Sequence, residues 1–157
     1  MNQVHKDILK ETLKTCVIHH ERMMFAYKKT IELFPMDLIK YDALDPEKIS
    51  FIDQLIFRFS KLQDLMGNKL FRIVLQGLKE DVSGKPFIDI LNLMEKFGII
   101  DSQEQWLSLR ETRNLIIHEY PFNKDDLIEG LNELSQQSRI LSGIWLQLNE
   151  YCEMRFN

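Results

Sequence analysis

The last third of the chain repeats one spacing: Leu127, Leu131, Leu134, Ser138, Leu141, Trp145, Leu148 and Cys152 follow one another at intervals of three or four. On an α-helix such residues line one stripe, whereas on a strand they would scatter over both faces. The same rhythm runs through residues 2–34, in Leu13, Val17, His20, Met24, Tyr27, Ile31 and Phe34. It recurs in residues 46–78, in Ile52, Leu55, Ile56, Phe59, Leu62, Met66, Leu70 and Ile73. A helix with one apolar stripe must bury that stripe, and long helices in a short chain have mainly one another to bury it against. Little of the sequence alternates with the period of a strand. The pattern predicts an all-α fold, an up-and-down four-helix bundle with an additional short helix.

Punctuation residues set the boundaries. Pro35 ends the first helix, and residues 35–44 form a connection whose Met36, Leu38, Ile39, Tyr41 and Leu44 give it some apolar content. Asp45 followed by Pro46 is a helix start, with an N-cap carboxylate and a proline at the first helical position. Gly67 interrupts the second helix at a cost of ~1 kcal/mol relative to alanine, which marks a kink or a close crossing. Residues 83–86 are a turn. A short helix follows with Ile88, Leu91 and Met94 on one face, stopped at Gly98. Asp101 opens the fourth helix, with Glu104 three residues on to complete a capping box, and Pro121 closes it. Asn123 caps the last. With no repeat, low-complexity stretch or linker, residues 1–157 are expected to form a single domain.

Composition narrows the class. The chain is 45% hydrophobic and 28% charged, the range of globular proteins. No apolar run approaches the roughly 20 residues that span a bilayer, and the N-terminal residues enter a helical pattern without the features of a signal peptide. Cys16 and Cys152 have no metal-ligand spacing and sit in helical stripes, so they are expected as buried free thiols. A cytoplasmic protein is the expectation. The formal charge of −4 carries no global basic signal, so any nucleic-acid binding must rest on a local patch.

Residues 106–121 hold the chemistry. Trp106, Leu109, Arg113, Ile116, Ile117 and Tyr120 fall on one arc of an ideal helical wheel. A guanidinium does not shed its proton and is costly to bury unpaired, so Arg113 should point at a partner, an interface or an anion. His118, whose ordinary pKa lies near neutrality, comes five residues later. Arg113, Asn114, His118 and Tyr120 together satisfy R-x4-H-x-Y with a polar residue after the arginine. In an all-helical context ending at Pro121, this resembles the HEPN superfamily, and specifically HepT-type toxins. The resemblance covers the chain in outline and is specific over about twenty residues.

That resemblance implies a metal-independent endoribonuclease with no cofactor, working as a homodimer whose active site forms where two copies of the helix meet. It also implies an MNT-type minimal nucleotidyltransferase as antitoxin. Arg113 and His118 would be catalytic and Asn114 supporting, while Tyr120 would be the residue that the antitoxin adenylylates. RNA cleavage without a metal needs a base for the 2′-hydroxyl, an acid for the leaving 5′-oxygen and positive charge on the phosphorane-like transition state. A histidine and an arginine supply these. Residues five apart differ by about 140° in direction, so Arg113 and His118 do not share a face of an ideal helix. A distorted helix or a second subunit must complete the site.

Other readings stay open. Arg113 pairing with a carboxylate and His118 capping a helix end would be purely structural. A non-catalytic subunit that scaffolds a nucleotidyltransferase, or presents substrate to it, would have the same residues, and an unrelated helical interaction protein would use Arg113 at an interface. Arg58, Lys61, Lys69 and Arg72 recur beside the apolar stripe of the second helix and are candidates for contacting an RNA backbone. Asp64 interrupts that strip, and a solvated helix face explains it equally. His5, His19 and His20 lack metal-ligand spacing.

Overall fold

Asp45 does what its sequence position asks: its side chain accepts from Lys48 N at 2.8 Å, and Pro46 opens the helix behind it. The structure is a computed structural model that describes the backbone of residues 1–119 and 123–157 and the side chains of residues 1–117 and 123–157. Every regular element in these residues is helical. Helix α1 spans Gln3–Thr30 behind an Asn2 cap and runs into a 3-10 turn at Ile31–Leu33. The expected connection contains a helix of its own, α2, over Leu38–Asp42. The second long helix is divided into α3, Pro46–Leu65, a π-helical turn at Met66–Leu70, and α4, Phe71–Gly77. Then come α5, Phe87–Lys96, α6, Gln103–Glu119, and α7, Lys124–Phe156.

Side-chain bridges show how the long helices lie. Gln54 donates to the carbonyl of Arg22, and His5 Nε2 donates to that of Ile73, so the α3–α4 rod runs antiparallel to α1. Ser108 and Thr112 on α6 meet Gln137 and Glu133 on α7, also antiparallel. His20 on α1 bonds Ser142 on α7 at 2.7 Å, and α3 meets α6 through Asp64 and Arg113. The result is a helical bundle around one apolar cluster.

All eight residues of the α7 stripe are buried. On α1 the buried residues are Leu9, Thr12, Cys16, Met23, Ala26, Tyr27 and Thr30; of the expected seam Tyr27 is among them, and the rest of the buried line lies one position round from it. Leu13, Val17 and Met24 flank it, and Ile31 is 44% exposed. The cause is that α1 packs against both α3 and α7, so the line facing inward lies between the two contact faces. On α5 the inward residues are Ile90, Leu91 and Met94, while Ile88 faces out. The α6 cap is Ser102, one residue after the expected Asp101, its Oγ accepting from Gln105 N at 3.2 Å.

Gly67 explains the division of the second helix. A Cβ there would come within 3.1 Å of Trp106 Cζ2 and 3.6 Å of the Phe87 ring. Trp106 is fully buried and packs on Phe71 with ring centroids 4.6 Å apart. The π turn and the missing side chain together let α6 lie directly on the rod. This crossing fixes the height of Arg113 against Asp64.

Candidate functional site

Arg113 leaves the buried face of α6 at its edge, with Thr112 and Ile116 buried beside it. Its Nη2 donates to Asp64 Oδ2 at 3.0 Å and its Nη1 to Asn114 Oδ1 at 3.0 Å. Nε is buried with no partner among the described residues. The guanidinium is thus held from two sides in one orientation, and it keeps donors to spare. Both members of the ion pair are about one-third exposed, at 28% and 35%.

Arg113 and Asp64 form a wall shared by two cavities. One is a cleft of about 350 Å³ lined also by Asp53, Ile56, Phe57, Ser60, Lys61, Ile116 and Ile117. The other is a smaller polar pocket of about 140 Å³, which adds Gln63, Gly67, Asn68, Phe87, Arg110 and Asn114. Around this pocket Gln63 Oε1 and Trp106 Nε1 are also buried without partners among the described residues, and the Arg110 guanidinium lies 4.9 Å from the Phe87 ring centroid. Two of these atoms, Gln63 Oε1 and Arg113 Nε, belong to residues that line the same pocket, where a water or a ligand can reach such groups. The π turn lies beside them.

His118 lies five residues beyond Arg113 on α6, about 7.5 Å further along the axis. Its side chain is outside the described residues, and Tyr120, the expected site of modification, lies wholly outside them. Asn114 is exposed and touches Arg113 directly.

The strip of four cations divides at the π turn. Arg72 donates from Nη1 and Nη2 to the carbonyls of Val82 and Lys85, at 3.2 and 3.0 Å, and fastens the turn that follows α4. Lys69 lies in the π turn, exposed. Arg58 and Lys61 stand together on the α1 side, both over the Phe57 ring, at 5.1 and 5.5 Å from its centroid. Arg58 also donates to His19 Nδ1 at 2.9 Å. Burial lowers the His19 pKa, and the charges of Arg58, Lys61 and Arg22 lower it further, so the imidazole stays neutral and accepts. His5 and His20 are spent on Ile73 and Ser142.

Two participants carried no signal in the sequence. Asp64 looks there like a blemish in a basic strip, yet it orients Arg113 across 49 residues of chain. Phe57 sits outside the apolar stripe, and its exposure would have drawn notice only alongside Arg58 and Lys61. A larger groove of about 660 Å³ between the end of α1 and α7 includes Tyr27, Ile31, Phe34 and Arg139, and no residue of α6 lines it. Among the described residues no helix is long and apolar enough to cross a membrane, and no three His, Cys, Asp or Glu side chains gather as a metal site would need. No protein-family model, curated protein or solved structure matches the chain.

Proposed function

We propose that this protein is a HEPN-like, metal-independent endoribonuclease that works as a homodimer, with an up-and-down four-helix bundle as its scaffold. The observation that carries the reading is Arg113: a guanidinium set in place by Asp64 and Asn114, open to a cleft, and followed on the same helix by His118. A structural arginine needs no cavity beside it, whereas a phosphate-binding one does.

In the proposed reaction His118 takes the proton of a ribose 2′-hydroxyl, and the 2′-oxygen attacks the adjacent phosphorus. The bond to the 5′-oxygen breaks, and His118 of the second copy protonates that leaving oxygen. The products are a 2′,3′-cyclic phosphate and a 5′-hydroxyl. Arg113 holds the non-bridging oxygens and stabilises the charge that develops on them. Ile117, 41% exposed on α6 beside the cleft, supports a second copy packing there. In this reading a nucleotidyltransferase antitoxin silences the site by adenylylating Tyr120, which puts a phosphate and a base beside the arginine.

Asp64 is equally compatible with one alternative. Its carboxylate neutralises Arg113, which suits a non-catalytic subunit that scaffolds a nucleotidyltransferase as well as it suits an oriented catalytic group. The purified chain incubated with cellular RNA separates the two. A ribonuclease yields fragments ending in 2′,3′-cyclic phosphate, and both His118→Ala and Arg113→Ala abolish them while circular dichroism stays native. RNA left intact by the wild-type chain refutes the nuclease and leaves the scaffold.

A further inference from the structure

Phe25 on α1 and Phe57 on α3 are 51% and 50% exposed, the two most exposed aromatic side chains among the described residues. Both lie where α1 and α3 run side by side, and both have cations over their rings. Lys29 Nζ is 5.6 Å from the Phe25 centroid and 5.9 Å from that of Phe51, while Arg58 and Lys61 cover Phe57. Arg22, on the same stretch of α1, adds its charge beside His19 and Arg58, and its carbonyl is bonded by Gln54 of α3. The chain as a whole is negative, so this concentration of positive charge is local. His19 lies beside these charges: burial lowers its pKa first, and Arg58, Lys61 and Arg22 lower it further.

Three acids border this patch, and among the described residues one of them, Asp64, is held in an ion pair. Asp64 is bound to Arg113, Asp53 lies along the cleft, and Glu21 flanks the strip on α1. Phe57 and Lys61 belong both to this face and to the cleft that ends at Arg113, so the two surfaces are continuous.

We infer that the α1–α3 face is a binding track for single-stranded RNA, with bases stacked on Phe25 and Phe57 and phosphates held by Arg22, Lys29, Arg58 and Lys61, feeding the strand to Arg113. The choice of RNA rests on the ribonuclease reading; the choice of a single strand rests on the rings. Exposed rings interleaved with cations suit unpaired bases, every one of which offers a π-face. A duplex keeps its bases stacked inside and gives the rings nothing to hold. As a base arrives, a lysine or arginine lying over a ring moves aside to the neighbouring phosphate, so one cation serves both states.

The test uses a fluorescent RNA strand of roughly a dozen nucleotides, 2′-O-methylated so that it resists cleavage, and a duplex of the same sequence. Anisotropy should show the full-length protein binding the single strand more tightly than the duplex. Stacking on one ring is expected to account for about fivefold or more in affinity, so Phe25→Ala with Phe57→Ala should weaken single-strand binding by at least ~25-fold. Lys29→Ala with Lys61→Ala should flatten the slope of log affinity against log salt by roughly 1.4. Both pairs are at the surface, and native circular dichroism checks that they fold. Affinity unchanged by removing the rings, or duplex bound as well as single strand, overturns the inference. So does a change from dimer to monomer in the ring variant with no RNA bound by the wild type, which makes this face a contact between copies. Tight, ring-dependent binding without cleavage of natural RNA upholds the track and removes the nuclease. Cleavage that ignores both rings does the reverse.

Discussion

Gly67→Ala and Gly143→Ala are the same substitution in helical surroundings, and the structure predicts opposite outcomes. In an open helix position alanine is favoured over glycine by ~1 kcal/mol because it restricts the unfolded chain. A Cβ at Gly143, exposed on α7, would meet nothing within 4 Å, so this position should gain that amount. At Gly67 the methyl meets Trp106 Cζ2 at 3.1 Å, Trp106 Nε1 at 3.5 Å and Phe87 Cζ at 3.6 Å. Trp106 is 0% exposed and seated on Phe71, so it has no room to retreat. Overpacking of this kind costs ~1–3 kcal/mol and outweighs the propensity gain, for a net loss of ~0–2 kcal/mol. Urea unfolding of the two variants beside the wild type measures both. For a chain of this length each ~1 kcal/mol moves Tm by ~2–4 °C, upward for Gly143→Ala and downward for Gly67→Ala. If Gly67→Ala stabilises as much as Gly143→Ala, the crossing of α6 over the π turn is slack, and the account of how Arg113 is held in register is wrong.

Asp64→Ala removes a partner from a pair that is one-third exposed. Its cost should fall between the ~0–1 kcal/mol of surface pairs and the ~3–5 kcal/mol of broken buried ones, about 1–2 kcal/mol by denaturant titration. On the proposed ribonuclease reading, RNA cleavage should drop by more than that stability loss explains, because Arg113 loses its orientation. Stability should also depend on pH. His19 and His20 both have lowered pKa values in the folded chain, chiefly through burial. The unfolded chain therefore takes up protons first, so stability is full above about 6.5 and falls as the pH drops through that value toward the lowered folded ones. Urea midpoints measured between neutral pH and mildly acidic pH check the sign, and His19→Gln should shrink the slope. Burial pushes the thiols of Cys16 and Cys152 up to about 12. A thiol-reactive dye at neutral pH should label neither in the native protein and both in urea, and rapid labelling of the native chain refutes their burial.

The sequence by itself determined the helices. Periodicity and capping are local properties, so the α7 stripe, the Asp45–Pro46 start, the Gly98 stop and the Asn123 cap are all found where the residues put them. It also marked Arg113 as a cation on the edge of an apolar face, in want of a partner. It did not reveal that partner, because Asp64 is 49 residues away and nothing local distinguishes it from any surface acid. Nor did it reveal the π turn. Gly67 signalled an interruption, but its kind depends on Trp106 arriving from another helix. The turn separates Arg58 and Lys61, which join the aromatic residues of α1 and α3, from Arg72, which is held at the carbonyls after α4. Likewise most of the inward line of α1, though not Tyr27, moved round by one position because two neighbours compete for its face. Residues close in sequence obey rules set by the helix that contains them. Pairings between helices depend on crossing height and rotation, which emerge only when the whole core packs at once.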